Sequence, residues 1–257
     1  MTKIIVLGSS AAFPLPRTVT NRFDDYSFIT TYQKKFALHD DAVCHAAKHG
    51  GKNHRTRSCI ALLHGRTTIL FDAGPDIVYQ LKRQNIRRPR AVFITHDHLD
   101  ACAGLDQVPS SIAVYSEKRK TFTPGTVSLI RDIEILPFRV VHSKTAPAVG
   151  FCVSVPRKGK RPFRFVYATD MASLKGAKQY FQKADIVFAD GSILRRNLPG
   201  HASITRQLRW YKQWRLKKVI FTHIGHRTLP HEELRRYLQR AYPCTDVAYD
   251  GMKIAIR

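Results

Sequence analysis

The sequence predicts an α/β sandwich with mixed β-sheets. Three observations predict it. Short apolar runs rich in β-branched residues recur along the chain, and longer helical patterns are interspersed among them. No repeat, low-complexity tract or Gly/Ser linker divides the 257 residues, which are read as one domain over 1–257 with an insertion at about 21–57.

Taken in chain order, strands are expected at 3–7, 58–63, 67–71, 91–94, 133–141, 149–155, 163–168, 186–189, 219–222 and 247–249. Helices are expected at 76–83, 202–216 and 231–241, with weaker patterns at 100–108 and 174–182. The helix at 231–241 follows Pro230 and carries Glu232 and Glu233 in its first turn, where acidic groups suit the helix dipole. The segment 21–57 breaks this rhythm. It is rich in His, Asp and Lys and reads as a loop that needs some other source of order.

Composition narrows the function. Hydrophobic residues at 44% exclude disorder as the main state. The longest apolar runs, such as 4–7 and 60–63, fall far short of the ~20 residues of a membrane helix. The first 15 residues read as a strand rather than a leader, so a cytoplasmic protein without a membrane partner is expected. Cys44, Cys59, Cys102, Cys152 and Cys244 show no CxxC spacing, which disfavours a disulfide scaffold. The net charge of +24 attracts polyanions, among them RNA, DNA and phosphorylated small molecules.

The run FITHDHLD from Phe93 to Asp100 carries the most chemistry. An apolar strand ends at Thr95, and His96, His98 and Asp100 follow at a spacing of two. A tight turn after a strand aims such residues into one cavity, and imidazole with carboxylate suits Zn²⁺, Mn²⁺ or Fe²⁺. Three later segments repeat the design of a strand followed by a candidate ligand: VVH ending at His142, FVYATD ending at Asp170 and VIFTH ending at His223.

This ordered set resembles the metallo-β-lactamase superfamily, whose signature is HxHxDH followed by a distant His, an Asp and a last His. FDAG at 71–74 also matches, and the resemblance covers nearly the whole chain. It implies a four-layer αβ/βα sandwich with two mixed β-sheets. It also implies a first metal held by His96, His98, His142 and Asp170, and a second held by Asp100, Asp170 and His223. The last His of the signature is Ala101 here, which offers no donor, so one tight ion and a weak or absent second are expected.

Within the superfamily, GSS at 8–10, LFDAGPD at 70–76, GLD at 104–106 and AYDGM at 248–252 resemble the PhnP-type cyclic phosphodiesterases of phosphonate metabolism. That branch carries a structural zinc in an inserted loop. His39, Asp41 and Cys44 stand where its cysteines fall, and His226 stands where its fourth ligand falls, with His45, His49 and His54 as alternative donors. The branch also has a His beside the metals that protonates the leaving oxygen, and His201 in GHAS at 200–203 matches it. The resemblance thus implies a metal-dependent phosphodiesterase acting on a small cyclic phosphate. Its Zn²⁺ or Mn²⁺ activates water, Asp100 orients that water, Asp170 bridges and His201 is the acid. By the same analogy a homodimer is expected. A nuclease of the tRNA 3′-processing type and a non-catalytic binding homologue are the alternatives. Basic runs at 82–90, 156–164 and 206–218 are the strongest positive stretches. In the last, Ile204, Leu208 and Tyr211 are expected to face the core, which leaves the cations wet.

Overall fold

The computed structural model describes residues 2–16, 41–142, 147–173 and 176–257. In the first sheet, β1 (Thr2–Gly8) pairs antiparallel with β13 (Lys253–Ile256) and with β2 (Cys59–His64), and β2 pairs antiparallel with β3 (Thr67–Phe71). β4 (Ala91–Phe93) and β5 (Ala113–Tyr115) then add in parallel, giving the order β13-β1-β2-β3-β4-β5. The second sheet begins with antiparallel hairpins through β6 (Ser128–Ile130), β7 (Ile133–Val140), β8 (Ala148–Arg157) and β9 (Lys160–Ala168). It continues in parallel through β10 (Ile186–Asp190), β11 (Val219–Thr222) and β12 (Thr245–Val247). Both sheets are mixed.

Aromatic side chains fill the space between the sheets. Phe71, Phe93, Phe151, Phe165 and Phe188 are all fully buried there. The Phe71 ring centroid lies within 6.0 Å of those of Phe93, Phe151, Phe165 and Tyr167. Burying each such side chain is worth on the order of 2 kcal/mol. On the outer face of the first sheet, α2 (Ile77–Arg83) sets Ile77 and Leu81 against Leu7, Leu70 and Val92, with α3 (Leu99–Cys102) at its end. On the outer face of the second, α4 (Lys178–Gln182), α5 (Ile204–Gln213) and α6 (His231–Ala241) contribute Phe181, Leu208, Tyr211, Leu234 and Leu238. The order helix, sheet, sheet, helix is the four-layer sandwich.

The helices begin where local chemistry starts them. Ser203 caps α5, accepting from the Arg206 amide, and Ile204, Gln207, Leu208 and Tyr211 form its buried stripe. The Trp-containing basic run is therefore a core-packed helix with its cations outward. The weak pattern at 100–108 is cut to α3, because Gly104 presses onto the Gly74 carbonyl. A Cβ at Gly104 would lie 2.2 Å from that oxygen. Of 174–182 only α4 is helical among the described residues. The C-terminal strand sits at β12, two residues before its expected start, and β5, β6 and β13 were not expected. These missed strands are three or four residues long, too short to show a period.

The expected loop at 21–57 has structure in its described part. Asp41 caps α1 (Ala42–Lys48), its Oδ1 accepting from the amides of Val43 and Cys44. Beyond it, Arg55 is buried with 1% exposure and forms the centre of a polar knot. Its guanidinium donates to Ser9 Oγ at 2.7 Å, to the Ala248 carbonyl, and to His231 Nδ1 at 2.9 Å. Asp250 accepts from Ser9 Oγ and from the amide and hydroxyl of Thr56, each at 2.7 Å. The knot ties the loop, the start of the chain and its last turn together.

Candidate metal centre

Every candidate ligand lies just beyond the C-terminal end of a strand. Thr95, His96, His98 and Asp100 follow β4, His142 follows β7, Asp170 follows β9 and His223 follows β11. Because those strands run in the same sense within each sheet, their ends converge on one rim of the sandwich. His96, His98 and His142 form one group of donor atoms within 4.8 Å of one another, and Asp100, Asp170 and His223 form a second. Asp170 faces both, its Oδ1 lying 3.9 Å from His96 Nε2 and 3.5 Å from His223 Nε2.

The rings are aimed by a surrounding set of hydrogen bonds. Asp72, after β3, accepts from the Thr95 amide at 2.8 Å, from its hydroxyl at 2.9 Å and from Tyr167 at 3.0 Å. Since the Thr95 hydroxyl donates to Asp72, its free lone pairs accept from His96 Nδ1 at 2.9 Å. That fixes the proton on Nδ1 and points a bare Nε2 into the cavity. His142 Nδ1 donates to the Gly200 carbonyl at 3.0 Å, which leaves its Nε2 bare as well. Asp72 and His223 hold left-handed backbone, with φ of 65° and 56°, a conformation that costs about 1 kcal/mol and is concentrated at functional sites.

The donors fit a divalent ion. His96 Nε2, which faces Asp170, is buried with no hydrogen-bond partner among the described residues, and so is His223 Nδ1, while His223 presents its Nε2 to Asp170. An unpartnered polar atom in such a place costs about 1–3 kcal/mol. His98 Nδ1 and His142 Nε2 face each other at 3.3 Å. Two nitrogens bound tetrahedrally at the usual zinc distance of about 2.0–2.1 Å stand about 3.3–3.4 Å apart. Burial and the neighbouring His96 push the His98 imidazole below its ordinary pKa, which keeps it neutral and able to ligate. Burial would raise the Asp170 carboxyl, but His223, His96, His142 and His201 outweigh it and hold it well below the carboxylate range.

His201 joins the cluster from the loop before α5. Its donor atom groups with those of His142 and Asp170, and its Nε2 is 4.0 Å from Asp170 Oδ1. On the other side Nδ1 meets Asp190 Oδ2 at 2.8 Å. Burial alone would lower this imidazole, yet Asp190 at hydrogen-bond distance outweighs it, aided by Asp170 and Asp100, and lifts it to about 9. Asp190 is the residue that the sequence reading missed. It ends β10 and is fully buried, and it is steadied by the Ser192 amide at 2.9 Å. Its signal was available, because it too is an acid at the end of an apolar strand.

Ala101 is buried in α3, where its carbonyl accepts from the Ala73 amide at 2.7 Å. The second group accordingly keeps the three donors of Asp100, Asp170 and His223. Of the four candidates for a structural ion, His39 lies outside the described residues. Asp41 and His226 are brought together, with Oδ2 3.4 Å from Nδ1, and Cys44 is buried one turn along α1.

A family model described as beta-lactamase superfamily domain matches residues 67–131 and 110–224. The chain belongs to that superfamily. Among solved structures, a diphosphatase of the PhnP family superposes with a TM-score of 0.77 at 21% identity, covering 100% of this chain and 98% of that one. Zn²⁺-bound PqqB from Methylobacterium extorquens gives 0.76 at 17% identity, over 99% and 100%. The human short-form tRNase Z gives 0.61 at 18% identity, over 99% of each chain. These likenesses establish the metallo-β-lactamase fold. A curated octanoyltransferase of Porphyromonas gingivalis is 24% identical over 246 residues, 83% of this chain and 47% of that protein. The chain thus spans about half the length of that relative. Among the described residues, no helix is long and apolar enough to cross a membrane.

Proposed function

We propose that this protein is a metal-dependent phosphodiesterase acting on a small cyclic phosphate. The observation that carries the reading is the Asp190–His201 pair set against the ligand cluster, with Nδ1 held at 2.8 Å and Nε2 turned toward Asp170. His96, His98, His142 and Asp170 would hold one ion, and Asp100, His223 and Asp170 a second, weaker one, since Ala101 supplies no donor. A divalent ion there, Zn²⁺ or Mn²⁺, supplies an activated water at neutral pH and withdraws charge from phosphoryl oxygens.

The protein's own groups do the rest. Asp100 orients the attacking water. Asp190 fixes the direction of His201 and favours its imidazolium form, which delivers the Nε2 proton to the departing sugar oxygen and keeps the Nδ1 proton toward Asp190. The net charge of +24 favours anionic substrates and supports a second reading, a nuclease of the same superfamily. Mn²⁺-loaded protein is expected to hydrolyse a chromogenic phosphodiester, with turnover lost in Asp170→Ala. No turnover above that variant would overturn both readings and leave a binding protein. A ribose cyclic phosphate tested against RNA would decide between the two hydrolases.

A further inference from the structure

At the end of the first sheet opposite the metal centre lies a second concavity, of about 480 Å³. It opens at the N-terminal ends of the parallel strands β3, β4 and β5 and is closed by the β6–β7 turn of the other sheet. Four arginines surround it: Arg66 and Arg90, just before β3 and β4, Arg88, and Arg131 in the turn. Thr67, Ser111 and Tyr115 add hydroxyls to the wall, and among the described residues no acidic side chain lines it. Among the described residues none of the four arginines forms an ion pair. The acid beside Arg131, Asp132, faces His64 at 3.3 Å instead.

All four arginines are exposed, so their mutual repulsion is screened, and what the hollow offers an anion is a set of guanidinium donors not taken up by any acid among the described residues. The β6–β7 turn sets one of these guanidinium groups in place. Ile130 and Ile133 pair across a two-residue turn, and its first residue, Arg131, has φ 59°. Glycine is the usual residue at that position, and Lys120 and Arg215 hold the same left-handed backbone outside the hollow, so a glycine at 131 would relax the turn without otherwise altering it. The guanidinium fork suits phosphate geometry. The hollow has the volume of a small-ligand pocket rather than the length of a strand-tracking groove, and it lacks the run of stacking aromatics that single-stranded nucleic acid uses.

We propose that this arginine pocket binds a compact anion carrying two or more phosphoryl groups, of the inorganic or nucleoside polyphosphate class, at a site separate from the metal centre. The proposal does not depend on the phosphodiesterase reading, because its test reads binding rather than turnover.

The probe is inorganic triphosphate, titrated into the 257-residue chain at physiological ionic strength and followed by calorimetry. One site per chain is expected. Arg131→Gly is expected to weaken it at least tenfold while leaving the Tm unchanged or higher, since glycine relaxes the turn. Arg88→Gln combined with Arg90→Gln is expected to weaken it about a hundredfold. Arg206→Gln with Arg209→Gln removes the same charge from α5 and should change the affinity less than threefold. Equal losses in the α5 and pocket variants would mean diffuse attraction to a basic protein and would overturn the proposal. So would triphosphate binding that survives all pocket variants. Binding of an unphosphorylated RNA 12-mer that fails in the pocket variants, with no triphosphate binding, would overturn it in favour of a nucleic-acid groove.

Discussion

His201 and His231 sit in two buried polar clusters of one domain, and their protons are driven in opposite directions. At the knot, burial and the Arg55 guanidinium push His231 down to about 4. At the centre, burial opposes Asp190 and loses, so His201 rises to about 9. The deeper difference is satisfaction. In the knot the Arg55 guanidinium, the Ser9 hydroxyl and both Asp250 oxygens meet partners within the protein. In the centre His96 Nε2 and His223 Nδ1 meet none among the described residues. A buried polar cluster that completes itself is a structural tie, whereas one that gathers imidazole nitrogens and carboxylates at one rim, with His96 Nε2 unpartnered and facing Asp170, is arranged to hold a ligand.

The comparison breaks most sharply at Asp170. Asp170→Ala should lower phosphodiester turnover by about 10³-fold or more while the apo protein still unfolds cooperatively, checked by Mn²⁺ assay and urea titration. His201→Asn should follow at roughly 10²–10⁴-fold in kcat with metal content retained, as the proposed proton donor, and loss of the ion in this variant would make His201 a ligand instead. The knot should behave in the reverse way. Arg55→Leu strands the partners of a buried charge and should cost about 3 kcal/mol in urea unfolding, with the metal still bound by the refolded chain.

A smaller effect sharpens the account of aim. Thr95→Val cuts the link between Asp72 and His96 and should weaken metal affinity roughly 10–100-fold. The smallest concerns pH. His231 has its folded pKa lowered from 6.5 to about 4, so the unfolded chain binds the extra proton first as pH falls. Its contribution to stability is complete above about pH 6.5 and is lost toward pH 4. His231→Gln should flatten that part of the urea-midpoint profile, and an unchanged slope would place the acid sensitivity elsewhere.

The centre was legible in the sequence because each ligand follows a strand, and the strand pattern survives without knowledge of packing. Asp190 was within reach by the same logic, but the expected strand stopped one residue short, at 189. The knot was not legible. A lone Arg55 in a polar loop reads as solvated, and only the fold brings Ser9, His231 and Ala248 to it from 46, 176 and 193 residues away. Asp41 shows the converse ambiguity. A helix-capping aspartate and a ligand aspartate look alike in sequence, and here one oxygen caps α1 while the other faces His226.

The most direct test is the metal content of the purified protein and of three variants, measured by elemental analysis after extensive dialysis. The account predicts about one divalent ion held per chain, its loss in His96→Leu and Asp170→Ala, and its retention in Arg55→Leu. A protein that holds no ion when loaded with Zn²⁺ or Mn²⁺, or one that holds it equally well without His96 and Asp170, would contradict it.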